Sequence, residues 1–265
     1  LSNENFMKEV KWISALKLRA TYGVNGNIDQ STTPYVTATR RNDNLYQSLQ
    51  YINITSQPNP MLRWEKAQTT NFGLDYGLFE NKLRGSVDVY RKYSTDLLAT
   101  TDLDPTVGAL TRRINAGALL NKGAEFSIGS DWYNTGDLRI GSTIVLGFNK
   151  TTVKKVTRAQ SNASVYVSSP IDFFLENEGY NSLYAYKYGG TTNGYPYVLD
   201  EKGNPSITFD ANGNPVSTAI KTVTNSDALV NMGSLTPTYT GSLSQRFSYK
   251  GFDLNFLFVF SGGNV

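Results

Sequence analysis

Residues 71–98 read NFGLDYGLFENKLRGSVDVYRKYSTDLL, and this stretch decides the fold class. Phe72, Leu74, Tyr76 and Leu78 alternate with Asn71, Gly73, Asp75 and Gly77. After Glu80-Asn81-Lys82 the alternation resumes, with Leu83, Gly85, Val87 and Val89 set against Arg84, Ser86, Asp88 and Tyr90. Period two across two runs and a short polar break predicts two β-strands joined by a tight hairpin, apolar on one face and wet on the other.

The same pattern extends outward in both directions. Leu16, Leu18, Ala20 and Tyr22 oppose Lys17, Arg19 and Thr21; Ala124, Phe126, Ile128 and Trp132 oppose Glu125, Ser127, Gly129 and Asp131. Leu138, Ile140, Ile144, Leu146 and Phe148 oppose Arg139, Thr143 and Asn149. Near the end, Leu243, Phe247 and Tyr249 precede Phe252, Leu254, Phe256, Phe258 and Phe260. A sandwich satisfies such alternation, and so does a transmembrane barrel. Two features favour the barrel. Tight turns at Glu80-Asn81-Lys82, Asn134-Thr135-Gly136 and Lys250-Gly251 alternate with long polar segments at 25–62, 99–118 and 151–236, the rim asymmetry of outer-membrane barrels. Several runs also reach the roughly 9–11 residues that cross a bilayer at a tilt. Tyr22, Tyr76, Phe79, Tyr90, Tyr93, Trp132, Tyr133, Tyr249 and Phe252 gather near strand ends, where an interfacial girdle sits; the competing reading is that Tyr and Phe are simply good strand formers.

The expected fold class is therefore all-β, an antiparallel up-and-down transmembrane β-barrel. About seven strands are counted. Bacterial single-chain barrels have an even count of at least eight, and an open sheet edge is not tolerated in lipid, so residues 1–265 are expected to be part of a larger barrel.

Composition closes many alternatives. The 265 residues include no cysteine and no histidine, which removes Ser-His-Asp triads, thiolate nucleophiles and ordinary zinc sites. No convergent acid–base constellation points to an enzyme, and the pattern calls for no cofactor. A net charge of +3 over this length carries no argument for a nucleic-acid partner. No run approaches the roughly 18 apolar residues of a membrane-spanning helix. Leu1 to Ser14 contains Glu4, Lys8, Glu9 and Lys11 without the apolar region of a signal peptide.

Several phrases on this frame resemble one family. LKLRATYGVNGN at 16–27 and NPMLRWEKAQTTNFGLDYGLFENKLRGSVDVYRKYSTDLL at 59–98 are similar to strands of SusC/RagA-type TonB-linked outer-membrane transporters. So are NAGALLNKGAEFSI at 115–128 and GSLTPTYTGSLSQRFSYKGFDLNFLFVFSGG at 233–263; the opening LSNENFMKEVKWIS is similar to the connection before the first strand. The resemblance implies that 1–265 is a partial C-terminal portion of a plugged barrel of roughly 22 strands, with the plug domain and earlier strands lying elsewhere in the polypeptide. It implies TonB-powered import of oligosaccharides or peptides across the bacterial outer membrane. It further implies a SusD-like surface lipoprotein as lid, and contact with TonB through a region outside this stretch. The rival readings are a passive porin and a soluble secreted β-rich glycan-binding protein.

Candidate sites follow from the two faces and the long loop. Phe72, Leu74, Tyr76, Leu78, Phe126, Ile128, Phe256 and Phe258 are expected to face outer-membrane lipid. Asp75, Asp88, Glu125, Asp131, Arg139 and Arg246 are expected to face the lumen, most of them paired with each other or with the plug. In the long loop Tyr166, Tyr180, Tyr195 and Tyr197 offer flat rings with a hydroxyl handle for substrate or lid; the competing reading is that they pack the loop onto itself. Tyr184, Tyr186 and Tyr188 are expected to share one face of a strand. Asp200-Glu201-Lys202-Gly203-Asn204 and Asp210-Ala211-Asn212-Gly213-Asn214 repeat a D-x-x-G-N pattern. It reads as two tight turns rather than a calcium loop, because the spacing departs from the D-x-[DN]-x-[DN]-G pattern. Lys150, Lys154, Lys155 and Arg158 form a basic group beyond Phe148 that reads either as a solvated loop or as a contact for lipid phosphates.

Overall fold

A computed structural model describes residues 4, 9–30, 32–42, 49–109, 111–156, 162–170, 173–216 and 225–265. Its main element is a seven-stranded sheet. In sheet order the strands are β1 (Ile13–Asn27), β4 (Glu65–Leu78), β5 (Leu83–Asp102), β6 (Thr111–Thr135), β7 (Leu138–Lys155), β12 (Tyr239–Tyr249) and β13 (Phe252–Gly262). Every pairing is antiparallel, and each strand pairs with its neighbour in the up-and-down order expected. β6 runs for 25 residues and β5 for 20, well beyond the roughly 5–6 usual in globular sheets.

Two of the three tight turns fall where the sequence puts them; at the expected Asn134-Thr135-Gly136 turn, Asn134 and Thr135 are still paired in β6 and the corner is Gly136-Asp137. Lys250 (φ 45°) and Gly251 (φ 89°) form a two-residue link whose positive angles match the twist of the flanking strands. The β4–β5 turn holds three consecutive left-handed residues, Phe79, Glu80 and Asn81. It is pinned from outside: Phe79 N donates to Trp12 O at 2.8 Å, and Asn81 N donates to Ser14 Oγ at 3.1 Å.

Polar segments hold more pairing than their composition announces. The expected loop at 99–118 is mostly strand, because β5 continues to Asp102 and β6 starts at Thr111, with Ala99 opposite Ile114 and Thr101 opposite Arg112. The 25–62 segment carries a hairpin of β2 (Thr37–Arg41) and β3 (Tyr51–Ser56). The 151–236 segment builds a small unit of its own. Helix α1 (Ala163–Ser168) packs near β8 (Ser182–Tyr186), which pairs with β11 (Leu229–Ser234), while β9 (Tyr188–Thr192) pairs with β10 (Tyr195–Val198). Ala163 and Ala228 form its buried centre, flanked by Tyr186, Val198 and Leu229.

The sheet itself has no second layer among the described residues. Its strands contact their sheet neighbours, and the fully buried apolar side chains are few and lie at the loop end or in the loop unit. The accessible surface is 17840 Å²; a compact monomer of this mass exposes about 11,500 Å². That excess separates the sheet from a soluble sandwich, whose inner faces bury each other.

Candidate functional site

The register sorts the side chains into two faces. One row runs Leu18, Leu74, Val87, Phe126, Leu146, Gly241 and Phe260; its neighbour runs Leu16, Tyr76, Gly85, Ile128, Ile144, Leu243 and Phe258. Phe72, at 63% exposure, sits on this apolar face together with the exposed Phe126, Ile128, Phe256 and Phe258, and with the half-buried Leu74, Tyr76 and Leu78. All eight residues expected on the apolar side thus share it, uncovered. Tyr76 lies across its partner Gly85 and donates its hydroxyl to Ser127 O at 3.4 Å, which gives the phenol a partner inside the sheet. A bulge between Ser130 and Tyr133 adds a residue to β6; Trp132 Nε1 then donates to Ser142 Oγ at 2.9 Å on the same apolar side.

The opposite face carries two ionic clusters of like construction. In the first, Arg19 grips Asp75 with two bonds, Nε to Oδ2 at 2.9 Å and Nη2 to Oδ1 at 2.8 Å, and Nη2 also donates to Asp88 Oδ2 at 2.9 Å. Asn71 completes it, donating to Asp88 Oδ1 at 3.0 Å. The guanidinium lies over Gly73, where a Cβ would stand 2.7 Å from Arg19 Cζ and 2.6 Å from Asp88 Oδ1. In the second, Arg84 places Nη1 and Nη2 each 3.2 Å from Asp131 Oδ2, and Arg246 Nη2 donates to Asp131 Oδ1 at 2.9 Å. Here Gly141 is the floor, since a Cβ on it would meet Asp131 Oδ1 at 2.5 Å. A planar guanidinium presents its donors in a fork that suits a carboxylate, and a bare glycine lets the pair lie flat across a strand.

Asp75, Asp88, Asp131 and Arg246 are therefore brought into ion pairs. Glu125 sits in register with Asp88, and Arg139 opposite Ser248, on the same face; neither forms an ion pair among the described residues. The sequence reading missed Arg19 and Arg84 as the partners, although both fall on the polar side of the alternation. Leu257 and Val259, opposite Ser244 and Ser242, put apolar side chains on the polar face of β13.

The four loop tyrosines separate. Tyr166 has no exposed surface and packs edge-on against Phe173 and Tyr184, so surface contact with a ligand is not available to it. Tyr180 stacks on Phe174 at 4.7 Å and lines a cleft of about 720 Å³ where β7 meets the loop unit, with Asn149, Lys150, Asn177, Glu178 and Asn231. Tyr195 is exposed beside Phe209, and the ring of Tyr197 covers Gly189. The expected common face of Tyr184, Tyr186 and Tyr188 does not form, because Lys187 separates β8 from β9 and Tyr188 is exposed at the start of β9. Burial pushes the Tyr184 hydroxyl up to about 12.

The repeated D-x-x-G-N segments are paired turns. Asp200 Oδ1 accepts from the backbone N–H of Lys202 at 2.9 Å and of Asn204 at 2.7 Å. Asp210 Oδ1 does the same with Asn212 at 2.9 Å and Asn214 at 2.8 Å. Hydrogen bonds from Asn204 and Asn214 hold both carboxyls below the usual range. In the basic group beyond Phe148, Lys154 donates to Asn177 Oδ1 at 3.1 Å, and Arg158 lies outside the described residues.

A long-stranded antiparallel meander, bare and apolar on one face and ion-paired on the other, defines the class as a segment of a membrane-type β-barrel wall. The chain matches the family model described as TonB dependent receptor-like, beta-barrel over residues 10–265, and it belongs to that family. It is 30% identical to TonB-dependent receptor P3 of Formosa agariphila over 288 aligned residues, covering 100% of this chain and 27% of that protein. It is 29% identical to TonB-dependent receptor SusC of Bacteroides thetaiotaomicron, covering 97% of this chain and 26% of that protein. Among solved structures, the RagAB peptide importer in its closed-closed state superposes with a TM-score of 0.70 at 25% identity, over 98% of this chain and 28% of that one. The chain thus spans little more than a quarter of the length of these relatives.

Proposed function

We propose that this chain is the C-terminal part of the barrel of an outer-membrane, TonB-dependent importer of oligosaccharides or peptides. In this reading the apolar face of the seven strands meets lipid and the ionic face lines a plugged lumen. The two sheet edges, β1 and β13, each paired on one side only among the described residues, continue into further strands of the same polypeptide. The plug and the TonB contact belong to other parts of that polypeptide, and a SusD-like lipoprotein caps the long-loop end. The observation that carries the reading is the uncovered apolar face set back to back with ion clusters inside a sheet of this family. A monomeric soluble protein rarely leaves so continuous an apolar patch exposed.

A passive porin shares the wall but not the energy source, so the test is energetic. The full-length protein is expressed in its host with and without TonB, and uptake of labelled oligosaccharides and peptides is followed. Uptake lost without TonB is the expected result. Uptake that persists at the same rate overturns active import, and recovery of the protein in the aqueous wash of broken cells overturns the membrane assignment.

A further inference from the structure

Above the apolar band the register places a row of cations. Thr70, Arg91, Lys122 and Lys150 are successive partners across β4, β5, β6 and β7, and Tyr22 of β1 joins the row opposite Thr70. Arg91, Lys122 and Lys150 all point to the apolar face, one step beyond the row of Phe72, Val89, Ala124, Phe148 and Tyr239. Like charges directly opposite each other in adjacent strands destabilise a sheet. Here three stand side by side, spanning about 10 Å at the usual strand spacing.

None of the three has an acidic partner among the described residues. Arg19, Arg63, Arg84, Arg113 and Arg246 each form ion pairs; Arg91, Lys122 and Lys150 form none among the described residues, and all three are exposed. The next row toward the loops, Gln68, Tyr93, Leu120 and Thr152, contains no acid either. Glu178, which shares a cleft with Lys122 and Lys150, accepts from Asn231 at 2.6 Å instead. The Arg91 guanidinium rests 5.5 Å from the ring centre of Tyr93 on the same face, so it is held in place without being neutralised.

The height of the row is informative. From the Leu78–Leu83 pair at the tight turn to the Thr70–Arg91 pair is eight residues of strand, about 26 Å of contour. At the usual tilt this is a rise of roughly 20 Å, near the top of an apolar band about 25 Å tall. A cation row at that level, on the lipid side and without ion-pair partners among the described residues, fits anionic headgroups.

We propose that Arg91, Lys122 and Lys150 form a ledge that binds the phosphate groups of lipid headgroups in the outer leaflet. The proposal rests on the reading that the apolar face meets lipid. It is tested on the full-length protein in neutral detergent, titrated with short-chain phosphatidic acid and followed by native mass spectrometry, with phosphatidylcholine and inorganic phosphate as parallel arms. Each charge at a membrane surface contributes roughly fivefold to affinity, so R91Q/K122Q/K150Q is expected to weaken phosphatidic acid binding about a hundredfold. The single variant K122Q, which keeps most of the row, is expected to lose about fivefold; K92Q, on the opposite face, is expected to lose nothing.

Wild-type binding by the triple variant overturns the ledge. So does displacement of phosphatidic acid by equimolar inorganic phosphate, which marks a free-anion site. Loss of the lipoprotein partner with phosphatidic acid binding intact also overturns it, since that marks a protein contact. Quenching of a fluorophore on F126C by a membrane-phase quencher reports the underlying reading separately. A quenched label with no phosphate preference removes the ledge alone, and an unquenched label removes the lipid-facing wall as well.

Discussion

Arg246 on β12 and Asp131 on β6 lie 115 positions apart in the chain and 2.9 Å from each other, reaching over Gly141 of the intervening β7. Arg84 on β5 closes on the same carboxylate from the other side. One aspartate on β6 therefore ties β5 on one side to β12 on the other, across β7 and the long segment that joins β7 to β12.

Removing that charge has a defined cost. The arginines are half exposed, and exposed pairs contribute about 0.2–1 kcal/mol each. D131N is expected to lower the unfolding free energy of the full-length protein by about 1 kcal/mol. Thermal unfolding at low and high salt checks it: added salt should narrow the gap between the two proteins, and a constant gap would show that the pairs are not its cause.

The glycine floors predict a second pattern. A methyl group at Gly141 or Gly73 would stand within 2.7 Å of the cluster atoms, whereas at Gly147 of β7 the nearest atom is 3.5 Å away. G141A and G73A are expected to destabilise by about 1–3 kcal/mol, and G147A by less than about 0.5 kcal/mol. Urea unfolding of the three variants in parallel tests the ranking, with equal losses speaking against the clasp geometry.

The two faces should respond differently to the same added charge. Phe126 and Ser127 are adjacent in β6 on opposite sides of the sheet. F126R is expected to cost about 2–4 kcal/mol when the barrel is folded into a bilayer, while S127R is expected to be tolerated. Folding titrations into vesicles of neutral lipid measure both, and a reversed order would mean that the apolar face does not meet hydrocarbon.

The paired turns supply a pH dependence whose sign follows from their hydrogen bonds. Asp200 and Asp210 have carboxyls held below the usual range by Asn204 and Asn214. Their contribution is present above the ordinary carboxylate value of about 4 and disappears as pH falls through the lowered folded-state value. Tyr184 acts at the other end of the scale: burial raises its hydroxyl to about 12, so its contribution is present below about 10 and is lost as pH rises through the folded value. Amide exchange at Asn204 and Asn214 should lose protection in acid, in contrast to the amides of β8, and D200A should abolish the acid response at the first turn only.

Period-two alternation made the seven strands and their tight turns readable, because each strand carries one apolar side whose members recur at every second residue. The 99–118 hairpin escaped notice for a physical reason. Thr100, Thr101, Arg112 and Arg113 are polar on both faces, and backbone pairing between such strands leaves no hydropathy signal. Of the two readings offered for Tyr166 the loop-packing one is met, and the sequence could not choose it because the contact of its ring with Phe173 and Tyr184 is a tertiary event with no local signature. The face of each charge was visible, but its partner was not: that Arg19 meets Asp75 and Asp88 depends on the register of three strands.

β13 has an unusual consequence. From Phe256 to Val259, with phenylalanines on one side and Leu257 and Val259 on the other, a slip of one residue against β12 would exchange grease for grease, and only Asp253, Asn255 and Ser261 would cross to the apolar face. Hydrophobicity therefore gives the middle of this strand little means of telling correct alignment from an offset one. Alignment there rests on the polar residues toward its ends and on the Lys250-Gly251 corner, so lengthening that corner by a single residue should scramble the β12–β13 hairpin more than any single change within the 256–259 stretch.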